Sequence, residues 1–258
     1  MRYLILSDIH ANLEALEATL AAASGYDRVL MLGDVVGYGA DPNAVVDRVR
    51  SLPMAAMIRG NHDKVAAGLE DMDAFNHIAR EAIAWTASAL TPENGAWLAA
   101  LPRGPLVIDE TVEICHGTPF DEDVYVFDDL DALRALRTAQ RPLCLYGHTH
   151  VPAVFRLGND EAGASLALSR PNGTLELIGP TRGASFTIGL DRDAQYLVNC
   201  GAVGQPRDGD PRAAYGVYDS SARTVTIVRV VYDVAAAQAK IVRAGLPDVL
   251  AHRLAVGR

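Results

Sequence analysis

The sequence predicts an α/β fold in which two sheets pack face to face and helices lie outside. From Tyr3 to Ile58, short apolar runs alternate with amphipathic stretches in a βαβαβ order, which calls for a mostly parallel sheet flanked by helices. From about residue 152 to 232 the pattern becomes mainly β. No Ser/Gly-rich linker, low-complexity tract or internal repeat divides the 258 residues, so one domain over 1–258 is expected.

The elements follow in order. Tyr3 to Leu6 is a short apolar strand, and Asn12 is a good N-cap for a helix carrying Leu13, Leu16 and Leu20 at helical spacing. Val29 to Leu32 is the second strand. Asp41-Pro42 supplies an N-cap and a proline at the first helical position, with Val45, Val46 and Val49 on one face. Pro53 stops that helix, and Met54 to Ile58 is the third strand. A helical insert is expected over about 64–105, with Thr91-Pro92-Glu93 opening one helix and Trp85 and Trp97 in the core. Leu106 to Ile108 and Val112 to Cys115 read as strands joined by a turn at Asp109-Glu110. A helix over Asp129 to Thr138 would bury Leu130, Leu133 and Leu136, and Leu143 to Tyr146 is again a strand. The acidic runs Asp121-Glu122-Asp123 and Asp128-Asp129-Asp131 read as solvated helix-start residues. In the β region, Asn172-Gly173 is a strong hairpin signal and Gly158-Asn159 a weaker one. Thr224 to Val231 is a long β-branched run, and the tail returns to helix from about Asp233.

Composition narrows the function. Half the residues are hydrophobic and 21% are charged, as in a soluble globular protein. A net charge of -9 disfavours a protein that coats duplex nucleic acid, which would need clustered Lys and Arg. Cys115, Cys144 and Cys200 are too few and too scattered for a disulfide framework or a CxxC site. The start lacks a basic and apolar leader, and no apolar segment reaches the roughly 18 residues of a membrane span. A cytoplasmic protein without membrane partners is therefore expected.

The chemistry collects at strand ends. Asp8 and His10 follow the first strand, Asp34 the second, and Asn61, His62 and Asp63 the third. His116 follows the strand at 112–115, and His148 and His150 follow the strand at 143–146. Only His77 and His252 lie elsewhere among the 7 histidines. Ends of neighbouring parallel strands share one edge of a sheet, so these side chains can converge. Imidazole, carboxylate and amide oxygen together suit borderline first-row ions such as Mn²⁺, Fe, Zn²⁺ or Ni²⁺. Asp8, His10, Asp34, Asn61, His116, His148 and His150 exceed what one catalytic ion takes from protein, and a pair sharing a bridging carboxylate accounts for the excess.

Asp8-x-His10, Gly33-Asp34, Gly60-Asn61-His62-Asp63, His116 and Gly147-His148-Thr149-His150 resemble, in order, the DxH…GD…GNHD…H…GHTH signature of calcineurin-like metallophosphoesterases. The resemblance implies a four-layer α/β/β/α sandwich of two mixed sheets. It implies two divalent transition-metal ions, manganese first. Asp8, His10 and His150 would hold one ion, Asn61, His116 and His148 the other, and Asp34 would bridge them. A hydroxide shared by the ions would attack phosphorus in line, and His62 would donate a proton to the leaving oxygen or stabilise the transition state. Asp63 reads as a capping residue. The segment from Asn199 to Pro211 resembles the family's NPGSVGxPR loop, with Cys200 and Ala202 in place of Pro and Ser. In it, Arg207 could offer a forked contact to phosphate, while Cys200 reads as a small buried residue. Asn12 and Tyr38 are further candidates for touching substrate.

The expected activity is hydrolysis of phosphodiesters, small or nucleotide-derived. Protein Ser/Thr phosphatases and symmetrical diadenosine tetraphosphatases resemble each other in a GDxVxRG pattern, and Tyr38 stands at its arginine here. An asymmetrical dinucleoside polyphosphate hydrolase and a phosphomonoesterase stay open. So does a binding scaffold of this fold, although the retromer scaffold subunit lacks the histidine that His62 supplies. The expected partner is a small phosphoester, and assembly into a homo-oligomer is compatible with the sequence.

Overall fold

The computed structural model describes residues 1–158, 168–170, 173–179 and 183–258. One sheet runs in the order β10 (Ser185–Gly189), β13 (Thr224–Val230), β12 (Ala213–Asp219), β1 (Arg2–Leu6), β2 (Arg28–Met31) and β3 (Met54–Met57). The other runs β4 (Leu106–Val107), β5 (Val112–Ile114), β6 (Leu143–Tyr146), β11 (Ala194–Asn199), β7 (Ala153–Gly158), β9 (Gly173–Leu177) and β8 (Leu168–Arg170).

Both sheets are mixed, where the opening βαβαβ pattern suggested a mostly parallel one. The β1–β2 and β2–β3 pairs are parallel, but β12 adds antiparallel to β1 and β13 antiparallel to β12. The late β-rich segment thus divides between the sheets, β10, β12 and β13 extending the first and β7, β8, β9 and β11 the second. A strand's periodicity carries no information about its partner, so this could not be read locally.

Three apolar layers order the sandwich. Between the sheets, Ile5, Leu30, Leu32 and Ile58 meet Ile114, Leu143, Leu145 and Val198. Outside the first sheet, Leu4, Leu6 and Met31 pack on α1 (Leu13–Ala22) through Leu16 and on α2 (Pro42–Arg50) through Val45, Val46 and Val49. Outside the second, Cys144, Tyr146 and Leu197 pack on α6 (Asp129–Thr138) through Ala132, Leu133, Ala135 and Leu136. β1 and β6 are covered on both faces, which is why they read as unbroken apolar runs.

Around residues 61–99 the chain forms α3 (Asn61–Ala66), α4 (His77–Ala89) and α5 (Pro92–Ala99). The tail is two helices, α7 (Val234–Arg243) and α8 (Asp248–Val256). No helix of the described residues is long and apolar enough to cross a membrane.

Local expectations met mixed outcomes. Asn12 caps α1 by accepting from Ala15 N, and Thr91 caps α5 by accepting from Asn94 N. Asp41 occupies the N-cap position of α2 without capping, because its carboxylate accepts from Lys240 Nζ at 2.7 Å. Leu130 is exposed, whereas Leu133 and Leu136 are buried as expected, together with Ala132 and Ala135. Trp85 and Trp97 are only partly buried, packed against the cores. Asp121-Glu122-Asp123 precedes no helix: Glu122 is buried and pairs with Arg59 Nη2 at 3.0 Å. Asp128 does cap α6, accepting from Leu130 N and Asp131 N. β8 and β9 pair antiparallel with Arg170 opposite Gly173, whereas the turn residue Asn172, like Asn159 of the other hairpin signal, lies outside the described residues.

Candidate dinuclear metal centre

Parallel register brings the ligand candidates together. Leu6 pairs with Met31 and Met31 with Met57, so β1, β2 and β3 deliver Asp8, Asp34 and Asn61 to one edge. Ile114 pairs with Leu145 and Tyr146 with Asn199, so β5, β6 and β11 deliver His116, His148 and the loop after Asn199. Backbone bonds tie the turns to each other: Asp8 N donates to Gly33 O, His10 N to Asp34 O and Gly204 N to Asp8 O.

The turns are strained. Asp8, His10, Asp34, His148 and His150 all adopt left-handed backbone, with φ of 53°, 48°, 57°, 67° and 59°. That region disfavours side-chain-bearing residues by roughly 1–2 kcal/mol each, so five of seven ligand candidates stand where packing alone would favour glycine. Neighbouring glycines make the crowding possible. A Cβ on Gly60 would collide with Asp34 Oδ1, and one on Gly147 with Ser7 Oγ.

Two groups of donors result. Asp8, His10, Asp34 and His150 form one, and Asp34, His116 and His148 the other, each with its ligand atoms within 4.8 Å of one another. Asn61 Oδ1 joins the second, 3.2 Å from His116 Nε2. Asp34 belongs to both.

Each imidazole is oriented by a carbonyl, which can only accept, so the ring nitrogen facing it carries the proton. His10 Nδ1 donates to Val36 O at 3.1 Å, His116 Nδ1 to Leu32 O at 2.8 Å and His150 Nδ1 to Gln205 O at 2.6 Å. His148 donates from Nε2 to Asp123 O at 3.1 Å. The remaining lone pairs point inward at one another. His10 Nε2 and His150 Nε2 face each other at 3.1 Å, and Asp34 Oδ2 lies 3.4 Å from both His10 Nε2 and His116 Nε2. Asp34 Oδ2 is buried and, among the described residues, has no hydrogen-bond donor. The lone pairs of His10, His150 and Asp34 converge in a buried space and repel, and a cation there removes that repulsion; in the second group a cation takes the place of the proton that the Asp34 carboxylate favours on His116. The donor set therefore fits two divalent ions.

The electrostatics agree. Burial pushes His148 down to about 3 and His10 and His150 well below the usual imidazole range, favouring the neutral form a metal requires. Burial also opposes charge on Asp34, but His116 and His62 outweigh it and hold the carboxyl ionised. His116 shows the converse: burial lowers it, and the Asp34 carboxylate more than offsets this, raising it to about 10.

His62 sits beside these groups. Its ring stacks on Phe75 at 4.7 Å, meets Tyr38 at 4.4 Å and lies edge-on to His10 at 4.8 Å. Its backbone N donates to Asp34 Oδ1 at 2.9 Å, and its Nδ1 is buried without a hydrogen-bond partner among the described residues. Burial pushes the ring down to about 4. Asp63 caps α3, accepting from Gly60 N at 3.0 Å and Val36 N at 3.1 Å. Asp63→Ala would leave two buried N–H groups unpaired, so a loss of about 2–6 kcal/mol in unfolding free energy is expected, with Asp63→Asn milder. Urea denaturation of both variants checks this.

The loop after β11 braces the site from the other side. Val203 N donates to Ser7 O, and Arg207 N to His150 O. Arg207 is half-buried, anchored on Gln205 Oε1 at 2.8 Å, with its guanidinium carbon 5.6 Å from the centre of the Tyr38 ring. Asn12 is occupied at both ends of its amide, since Nδ2 donates to Gly204 O at 2.8 Å while Oδ1 caps α1. Cys200 is buried, and burial pushes its thiol up to about 12.

Four contributors had no signal in the sequence. Ser7 donates to Asp8 Oδ2 at 2.6 Å. The carbonyls of Gln205 and Asp123 orient His150 and His148, and backbone acceptors leave no trace in residue type. Tyr125 stacks on His148 at 3.8 Å from the segment between β5 and α6.

A family model described as the calcineurin-like phosphoesterase superfamily domain matches residues 1–223. An uncharacterised protein of Methanocaldococcus jannaschii is 37% identical over 265 aligned residues, covering 98% of this chain and 97% of that protein. The crystal structure of a metallophosphoesterase from Sphaerobacter thermophilus is 37% identical and superposes with a TM-score of 0.82, covering 100% of this chain and 99% of the other. A hypothetical protein from Pyrococcus horikoshii shares the fold at 18% identity, with a TM-score of 0.73 over 100% of this chain and 98% of that one.

Proposed function

The chain belongs to the calcineurin-like phosphoesterase superfamily, and on that premise we propose that it hydrolyses small or nucleotide-derived phosphodiesters with two divalent ions, Mn²⁺ foremost. The observation that carries this reading is Asp34 Oδ2, a buried carboxylate oxygen without a donor among the described residues, placed 3.4 Å from an imidazole nitrogen of each ligand group. Asp8, His10 and His150 would hold one ion, Asn61, His116 and His148 the other, with Asp34 shared. Ions held there supply Lewis acidity toward the phosphoryl oxygens and a lowered pKa for an attacking water.

The chain's own residues do the rest. His62 donates an N–H hydrogen bond to the leaving oxygen, which the neutral imidazole can still supply, though more weakly than an imidazolium would. Arg207 offers a planar fork to a phosphoryl oxygen, and Gln205 and the Tyr38 ring fix its direction. Asn12 holds the loop through Gly204 O instead of reaching substrate.

The test compares bis-p-nitrophenyl phosphate with p-nitrophenyl phosphate in Mn²⁺. A higher kcat/KM for the diester is expected. The opposite order would make the protein a phosphomonoesterase, and no turnover with both ions bound would make it a scaffold.

A further inference from the structure

Next to the metal ligands lies a cleft of about 200 Å³ that the reaction itself does not account for, with Asn61, His62 and His148 at one side. Whole small-molecule pockets run to about 300–1,000 Å³, so this space takes one part of a substrate. Its walls are aromatic. Phe75, already stacked on His62, stands on one wall. Tyr125, stacked on His148 at 3.8 Å and 27°, stands on another. Phe127 extends that surface outward, stacked on Tyr125 at 5.0 Å and 14° while 80% exposed. An exposed Phe covering no core contributes little to folding, and here it lengthens an aromatic run that ends on a candidate metal ligand.

The cleft's charge is equally specific. Lys64 lines it, but its ammonium is bound by Asp123 at 2.6 Å and Glu70 at 2.7 Å. Among the described lining residues no other Lys or Arg occurs, whereas Glu70, Asp71 and Asp123 leave acceptor oxygens there. A second phosphate entering this cleft would meet carboxylates. A flat ring system with amino edges would find faces to stack on and acceptors to donate to.

We propose that this cleft binds the nucleobase of one nucleoside of the substrate, so that the ester is a single-phosphate nucleoside diester and not a polyphosphate. The assignment rests on the phosphoesterase reading for the position of the phosphate. Base stacking on an aromatic side chain contributes about 1–3 kcal/mol, roughly 5- to 150-fold in affinity.

The test is equilibrium dialysis of AMP and of glycerol 3-phosphate, which share the phosphate and differ in the base, against Mn²⁺-saturated protein. AMP should bind at least about tenfold tighter, and the ratio of the two affinities should fall several-fold in Phe127→Ala and in Phe75→Leu. Phe127 is exposed, so its truncation leaves the fold intact. Equal binding of the two ligands, or a ratio that survives both substitutions, overturns the assignment. Hydrolysis of bis-p-nitrophenyl phosphate in the same samples separates the two readings. Turnover without an AMP preference overturns the cleft alone, and an AMP preference without turnover supports the cleft and overturns the catalytic reading.

Discussion

Asp34→Asn is expected to empty both metal positions together. The substitution keeps the volume, and Asn Oδ1 can still accept from His62 N, so the turn after β2 is preserved. What changes is the inner oxygen, which becomes an NH₂ aimed at His10 Nε2 and His116 Nε2, each 3.4 Å away. Those hydrogens can satisfy both lone pairs without any cation. Metal content should fall from two ions per chain toward none, and activity by at least about 10²-fold, above the 10–100-fold typical of removing a residue that merely orients a ligand. The metal-free variant should be no less stable than the metal-free parent. Elemental analysis and urea denaturation check the two halves. Depletion of a single ion would show that Asp34 serves one site and does not bridge.

His62→Ala is expected to leave both ions bound and to lower kcat by about 10²–10⁴-fold, the usual worth of a positioned proton donor. His62 contributes only its backbone N–H to Asp34, which the substitution retains. The ring fills space between Phe75 and Tyr38, so some stability will be lost with it. His62→Gln keeps more of that volume and a donor, and should recover part of the rate. Loss of metal in both variants would make His62 a ligand.

Much of this site was legible in the chain because its chemistry sits at ends of strands that announce themselves. Leu30 to Leu32 is apolar, Gly33 breaks it, and Asp34 follows; Leu143 to Tyr146, Gly147 and His148 repeat that grammar, and His116 comes directly after the predicted strand residue Cys115. Six of the residues found that way, Asp8, His10, Asp34, His116, His148 and His150, lie within ligand distance in two groups. What escaped was whatever depends on long-range partners. Asp41 looks like a cap until Lys240 arrives from the tail to take its carboxylate. Glu122 looks like solvated charge until Arg59, from the far side of the site, pairs with it. The antiparallel addition of β12 to β1 is decided by closure of the first sheet, more than two hundred residues from where that sheet begins. Tyr125 offered no periodicity at all, yet it covers one face of His148.

The most direct test of the dinuclear account is a metal titration followed by activity. Chelator-stripped protein is given Mn²⁺ in steps, and hydrolysis of bis-p-nitrophenyl phosphate is measured at each. The account predicts that activity rises to a plateau at two equivalents per chain; a plateau at one equivalent, or two tightly bound ions with no hydrolysis, would contradict it.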